Sequence, residues 1–283
     1  MGLLLRVRSC ITKRLKQKPR DSCKEATSNA KNQQLQFCAC KSFYFESNIR
    51  IVGRVRLPYL QRMHTTIELK RPIHKTIEPT ILYFGTPVAL ISTLNPDGSA
   101  NLAPMSSAWW LGWSCMLGLG QMGQTSDNLI RTRECVINLP SEDQVTAVDR
   151  LALTTGKNPV PEKKLQWGYR YEANKFGTAE FTAHPSETVA PPRVRECPVQ
   201  MEGIVHDVRP FGKNVSANAF EVHVTKLHVD EALLVNDGPR PHIDPVRWRP
   251  LIMSFCRFFG LGGEVHPSRL AESNFMTAVG ARS

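Results

Sequence analysis

The chain has 283 residues, with 36 Lys+Arg against 25 Asp+Glu and a formal net charge of +11. That length holds one large domain or two small ones. Residues 1–62 carry 14 Lys+Arg and 3 Asp+Glu, and the remainder carries 22 of each. The whole basic excess therefore belongs to the N-terminal segment and gives no reason to assign a nucleic-acid partner to the rest.

The opening MGLLLRVRSCITKRLKQKPR is basic and partly amphipathic. Such a texture suits a mitochondrial transit peptide, a disordered tail, an extension absent from the working protein, or a nucleic-acid arm. The arm is the weakest reading, because no aromatic stacking pattern accompanies the charge. The apolar run from Leu3 to Leu5 is too short for a secretory core or a membrane span, so no membrane partner is expected. Met63 sits where a shorter product could begin. The expected organisation is a basic extension at 1–62, a lead-in at 63–80, one domain at 81–272 and a tail at 273–283. The location is then cytoplasmic or mitochondrial.

Eight cysteines are present. Cys10, Cys23, Cys38 and Cys40 lie in the extension, and Cys115, Cys135, Cys197 and Cys256 lie in apolar stretches. There is no C-x-x-C pair, so neither a zinc site nor a disulfide framework is expected, and the domain thiols read as buried.

From Ile81 the texture becomes globular. Val88 to Leu94 reads as a strand. Asn95-Pro96-Asp97-Gly98 is a turn in which Pro presets φ and Gly takes the left-handed position, and Ser99 to Ala103 returns as its hairpin partner. Cys115 to Leu119 is a third strand. Ser126 to Thr132 reads as a short helix capped by Thr125 or Ser126, and Cys135 to Leu139 is a fourth strand. Ser141 to Gln144 has capping-box spacing, which predicts a second helix running to about Leu153. Thr154 to Pro192 reads as long loops with short helices. Cys197 to Val208 and Ala219 to Val229 alternate as long strands. About six strands with local antiparallel connections predict a mainly β fold, a β-barrel with short helices.

Gly118-Leu119-Gly120-Gln121-Met122-Gly123 spells G-x-G-x-x-G, and two readings compete for it. A dinucleotide fold would place Glu142 on a ribose. Against this, the fingerprint overlaps a strand, the helix after it is short, and no βαβαβ chain continues. The alternative is a flavin mononucleotide pocket. Gln124, Thr125, Asn128 and the amides near Ser126 would meet the phosphate, with Arg131 or Arg133 adding charge. Ala103, Pro104, Met105, Ser106 and Ser107 leave a strand end with small side chains, suited to a flat ring. Trp109 or Trp110 could wall it.

Ala103-Pro104-Met105-Ser106, the loop from Gly120 to Thr125 followed by Asn128-Leu129, and Glu134 to Leu139 together resemble the flavin reductase-like family. The resemblance runs from Ile81 to Glu272. It implies an FMN-binding split barrel that forms a homodimer, with a flavin-dependent partner enzyme as a further expectation. It also implies that Asn101 to Ser107 lies along the flavin. By the same resemblance, the stretch from Gln121 to Asn128, beside Gly120 and with Ser126, holds the ribityl phosphate, and the region from Arg257 to Gly263 returns to the site. Two departures stand out. Gly123 and Gln124 occupy the place of a basic residue and an Asp, so the phosphate would be held by neutral donors. Val265 replaces an aromatic residue after the Gly-Gly pair.

Each of these residues also has a plainer reading. Ser106 and Ser107 can cap a turn, Thr125 can cap a helix, and one Trp of the adjacent pair fits a core or an interface. His206, His223 and His228 read as a solvated strand face instead of a metal site, and His266 has no visible partner. The implied function is an FMN-dependent oxidoreductase taking hydride from NADH or NADPH. It needs no catalytic acid, base or nucleophile, because the cofactors carry the chemistry. A non-catalytic FMN carrier or sensor and a Rossmann-type dehydrogenase are the alternatives.

Overall fold

The computed structural model describes residues 72–237 and 240–272. The basic extension, Cys10, Cys23, Cys38, Cys40, Met63 and the tail 273–283 lie outside the described residues. From Lys75 onward the chain forms one unit.

The strand expected at Val88 to Leu94 forms because it is buried on both faces. After β1 (Thr86–Pro87), the strand β2 (Ala89–Leu94) is buried at its first five positions. Side chains on a strand alternate. Ala89 and Ile91 enter one apolar cluster with Leu117, Ile137, Phe220 and Val222, while Val88 and Leu90 enter another with Leu102, Val148, Leu151 and Phe176. β3 (Ala100–Met105) pairs with β2 across the expected turn, where Gly98 takes φ +81°. β4 (Ala108–Leu111) and β5 (Ser114–Gly120) form the next hairpin.

Helix α1 (Gln124–Thr132) follows and leads to β6 (Glu134–Leu139). The capping box at Ser141 and Gln144 is present, but it opens a 3-10 turn, Glu142–Gln144, which passes into α2 (Val145–Arg150). The middle segment holds β7 (Thr154–Thr155), α3 (Glu162–Gln166), β8 (Arg170–Tyr171), α4 (Lys175–Ala179), β9 (Ala183–His184) and β10 (Arg193–Val194). The two long strands are β11 (Val199–Phe211) and β12 (Ala217–Val229). β13 (Leu234–Val235), β14 (His242–Ile243), β15 (Ile252–Ser254) and β16 (Arg257–Phe259) follow, and a 3-10 turn, Arg269–Glu272, ends the described residues.

Seven strands make the main sheet in the order β3-β2-β6-β11-β12-β5-β4, antiparallel throughout. Its two outer strands, β3 and β4, are consecutive in the chain and separated only by Ser106 and Ser107. A sheet whose ends are joined by two residues must curl on itself, which gives the barrel. The first apolar cluster fills it. The second lies outside the barrel wall, under α2 and α4. The register of β11 against β12 shifts at Glu202/Gly203 and at Val205/Asp207. Such bulges bend a strand and increase its twist, which lets 13-residue strands follow the curve. Gly203 is required at the first bulge, because a Cβ there would stand 2.5 Å from Val222 Cγ1.

Cys115, Cys135 and Cys197 are buried thiols, as expected, but Cys256 is exposed. It sits with Phe255 in a tight β15–β16 turn where both take positive φ. Among the described residues, no helix is long and apolar enough to cross a membrane.

Candidate functional site

All three glycines of the fingerprint have roles in the barrel. Gly118 donates its amide to the Ser107 carbonyl at 2.8 Å, and a Cβ on Gly118 would lie 3.1 Å from Ser107 Cβ. It is the small residue that lets β5 meet the β3–β4 link. Gly120 ends β5 opposite Ala217. Gly123 is the N-cap of α1, with φ −92° and ψ 140° and no side-chain cap bond. This corrects the cap expected at Thr125 or Ser126. Both lie inside the helix and both are buried. The Rossmann reading falls with it. The sheet is antiparallel, and Glu142 is held by Arg249, whose Nε stands 2.6 Å from Oε1.

A polar network ties the start of α1 to the barrel wall. Asn101, on β3, donates through Nδ2 to Thr93 Oγ1 at 3.3 Å and to Thr125 Oγ1 at 2.9 Å. Asn128 donates to Thr93 Oγ1 and to Asn95 Oδ1, both at 3.0 Å, and accepts from Gln124 Nε2 at 2.9 Å. Asn101, Thr125 and Asn128 are all at least 95% buried. Asn101 Oδ1 and Ser126 Oγ are buried without a partner. Since buried polar atoms are normally bonded, these two are openings in an otherwise closed network.

The structure thus joins Asn101, Gln124, Thr125 and Asn128 by direct hydrogen bonds, with Ser126 in the same first turn. Ala103, Pro104 and Met105 continue along β3, half-buried, into half-buried Ser106 and exposed Ser107. Gln121 turns away from this group. Its side chain donates to Asn218 Oδ1 at 2.9 Å and accepts from Ser216 Oγ at 3.1 Å, locking the end of β5 to β12. Arg257 is exposed on the separate β1-β15-β16 sheet and makes no hydrogen bond to the Asn101 group among the described residues. Arg131 and Arg133 lie at the far end of α1, where Arg131 donates to the Leu94 carbonyl at 2.5 Å and Arg133 is the C-cap. Neither is at the first turn. Trp109 is exposed, while Trp110 packs against the barrel core.

Sequence reasoning missed three lysines here. Lys157 Nζ stands 2.5 Å from Asp127 Oδ2, in the first turn of α1. Lys164 Nζ lies 3.5 Å from Thr155 Oγ1. Lys175, at the start of α4, is only 3% exposed. Burial, followed by the charge of Lys164, drives its ammonium down to about 8, and Glu172 opposes that weakly. Burial and then Lys157 lower Lys164 as well. Gly156 packs over the unpartnered oxygen, since a Cβ on Gly156 would lie 2.7 Å from Asn101 Oδ1. In the sequence these residues read as ordinary loop charge. Their only local signal was a Gly between Thr155 and Lys157.

A second cluster was also missed. Glu202 is fully buried on β11. Its carboxylate accepts from the Glu187 amide (2.9 Å), the Thr188 amide (2.5 Å), the Thr188 hydroxyl (2.6 Å) and His228 Nε2 (2.8 Å). Burial pushes this carboxyl up, but the Thr188, Glu187 and His228 hydrogen bonds outweigh it and hold the group at about 2. His228 is therefore bound inward and does not belong to a solvated face. His206 and His223 are exposed and stack at 4.7 Å. Glu202 pins the segment 187–188 to the sheet. A recess of about 430 Å³ beside His228, lined by Leu227, Leu234 and Ile243, lies apart from the Asn101 group.

A barrel closed through Ser106–Ser107, with a side-chain-uncapped helix start anchored to β3, is a split barrel. A family model for the flavin reductase like domain matches residues 81–256. The chain belongs to the flavin reductase-like family, a class of flavin-related oxidoreductases. It is 41% identical over 191 residues to the uncharacterised protein YdfE of Bacillus subtilis (strain 168), covering 68% of this chain and 91% of that one. The flavoredoxin of Desulfovibrio vulgaris (Miyazaki F) superposes with a TM-score of 0.58 at 20% identity, covering 71% of this chain and 100% of the other. Nitrilotriacetate monooxygenase component B from Bacillus cereus gives 0.55 at 20% identity, covering 70% and 100%. At those identities the two structures share the fold.

Family membership implies a flavin, and the residues present fit one that carries a phosphate. They offer the unpartnered buried hydroxyl of Ser126, a helix start free of side-chain caps, and Lys157 bound to Asp127 in its first turn, while the unpartnered Asn101 Oδ1 can accept from a hydroxyl.

Proposed function

We propose that the protein is an FMN-dependent oxidoreductase of flavin reductase type that uses NADH or NADPH. The observation that carries this reading is the 2.9 Å hydrogen bond from Asn101 to Thr125. It couples the strand that leads to Ala103–Ser107 with the first turn of α1, so ring site and phosphate site form one rigid unit. Bound flavin would supply a ring that accepts hydride from the nicotinamide.

The chain's own residues bind and orient. Half-buried Ala103, Pro104 and Met105 bring the β3 backbone close to a flat ring without long side chains in the way. The first amides of α1 have no intrahelical partners and no side-chain cap, so they point at an anion together with the positive end of the helix dipole. Asn128 takes no direct part. Its donors and its Gln124 bond hold α1 in place. Exposed Trp109 and Leu111, on the outer strand β4, support a homodimer that would cover them.

Titration with FMN should quench flavin fluorescence and give a yellow protein, and NADH or NADPH should then be oxidised in the steady state. A protein that leaves FMN fluorescence unchanged does not bind this cofactor. One that binds it tightly without turnover is a carrier.

A further inference from the structure

We propose that Lys175 and Lys164, beside a Lys157 anchored to Asp127, build a seat for a phosphate monoester near the N-terminal end of α1, supplying the positive charge that the neutral donors there lack. The proposal rests on the FMN reading for its expected occupant. The seat itself is argued from the lysines.

Of the polar side chains first expected to meet the phosphate, Asn128 is committed elsewhere. Both its donors go to Thr93 and Asn95, while Thr125 Oγ1 accepts from Asn101 and keeps its own proton to donate. Lys175 is buried to 97%, and its ammonium makes no hydrogen bond or ion pair among the described residues. A buried ammonium with no acceptor is costly, and folding tolerates it where an anion arrives later. Its surroundings converge on α1. Lys164 reaches Thr155, Lys157 reaches Asp127 in the first turn, and Gly156 between them packs against Asn101 and Gln124.

Two acidic groups lie nearby: Asp127, paired with Lys157, and Glu172, whose charge acts on Lys175. Three lysines against these two carboxylates leave one net positive charge, and Lys164 and Lys175 make no carboxylate hydrogen bond among the described residues. The depressed ammonium of Lys175 fits a site that lacks its anion. A monoester dianion suits two lysines and free helix amides, each amide and ammonium donating to a different oxygen.

Two cofactors carry a phosphate monoester, FMN at its ribityl end and NADPH on its adenosine ribose. Affinities for FMN, riboflavin, NADPH and NADH are measured on the full chain, the Lys175→Met variant and the Lys164→Gln variant. Thermal unfolding with and without inorganic phosphate is followed in parallel. If the monoester is that of FMN, each substitution cuts the preference for FMN over riboflavin by about tenfold or more, on the scale of a charged hydrogen bond. Riboflavin affinity itself is unchanged, which reports an intact fold. If it is that of NADPH, the NADPH over NADH preference falls instead.

Phosphate raises the unfolding temperature of the parent protein and not that of Lys175→Met. If no flavin binds but phosphate still stabilises through Lys175, the seat stands and the FMN reading falls. If both preferences persist in the variants and phosphate stabilises all three proteins equally or not at all, the proposal is overturned.

Discussion

Asn101 and Thr125 lie 24 positions apart in the chain and 2.9 Å apart in the fold, both buried, with the Asn101 amide donating to the Thr125 hydroxyl. This bond makes the start of α1 part of the barrel wall. It also gives Thr125 a structural partner while leaving its hydroxyl proton free to donate.

Removal of Asn128 should therefore be felt as lost stability before it is felt as lost binding. The side chain makes three hydrogen bonds in a buried setting, and its loss leaves Thr93 and Asn95 short of a donor. Asn128→Ala should lower the unfolding free energy by about 2–4 kcal/mol, read from urea denaturation of the flavin-free protein. An undiminished midpoint would mean that the network contributes nothing.

Lys175 should make stability depend on alkaline pH. Its folded value of about 8 lies below the ordinary 10.5. Between those values the unfolded chain binds a proton that the folded chain does not, so stability rises as pH climbs through the window and is penalised below it. The full effect is roughly 3 kcal/mol. Lys175→Met should be more stable than the parent at pH 7 and should lack the rise from pH 8 to 10.5. Denaturation at pH 7, 8.5 and 10 checks both.

Glu202 has the opposite sign. It is held at about 2, below the ordinary 4.5. Its contribution is complete above pH 4.5 and is lost as pH falls toward 2, for a total of roughly 3 kcal/mol. Glu202→Gln should destabilise the protein at pH 7 and flatten the acid limb. Proteolysis should then cut near Thr188, because the Glu187 and Thr188 amides lose their acceptor.

The fingerprint can be tested at two residues. Gly118→Ala places a Cβ 3.1 Å from Ser107 Cβ and should cost about 1–3 kcal/mol of stability. Glu142→Ala removes a partly exposed ion pair with Arg249, worth less than about 1 kcal/mol. It should leave cofactor use unchanged, which equilibrium titration of FMN and NADPH would show.

Local rules made most of the barrel legible. β2, β5, β6 and β12 announced themselves through runs of apolar and β-branched residues, and the Asn95–Gly98 turn through its Pro and Gly. The start of α1 was misplaced by two residues. Thr125 and Ser126 have the chemistry of caps, and only the packing of Asn101 against Thr125 shows that they lie inside the helix. His228 likewise looked like one of three solvated strand histidines until the bulge at Glu202/Gly203 and the segment 187–188 came together around it.

Sequence alone determined the class of fold, because hydrophobic alternation and turn chemistry act over a few residues and survive in one dimension. It also picked out the Asn101, Gln124, Thr125 and Asn128 set. The roles within that set were decided only by tertiary structure. Hydrogen bonds and charges act through space: Lys157 reaches the first turn of α1 from 25 positions beyond its last residue, and the charge of Lys164 acts on Lys175. In the sequence they are three solvated charges among many. In the fold, one of them is buried with no hydrogen-bond acceptor among the described residues, and another is bound to Asp127 in the first turn of α1.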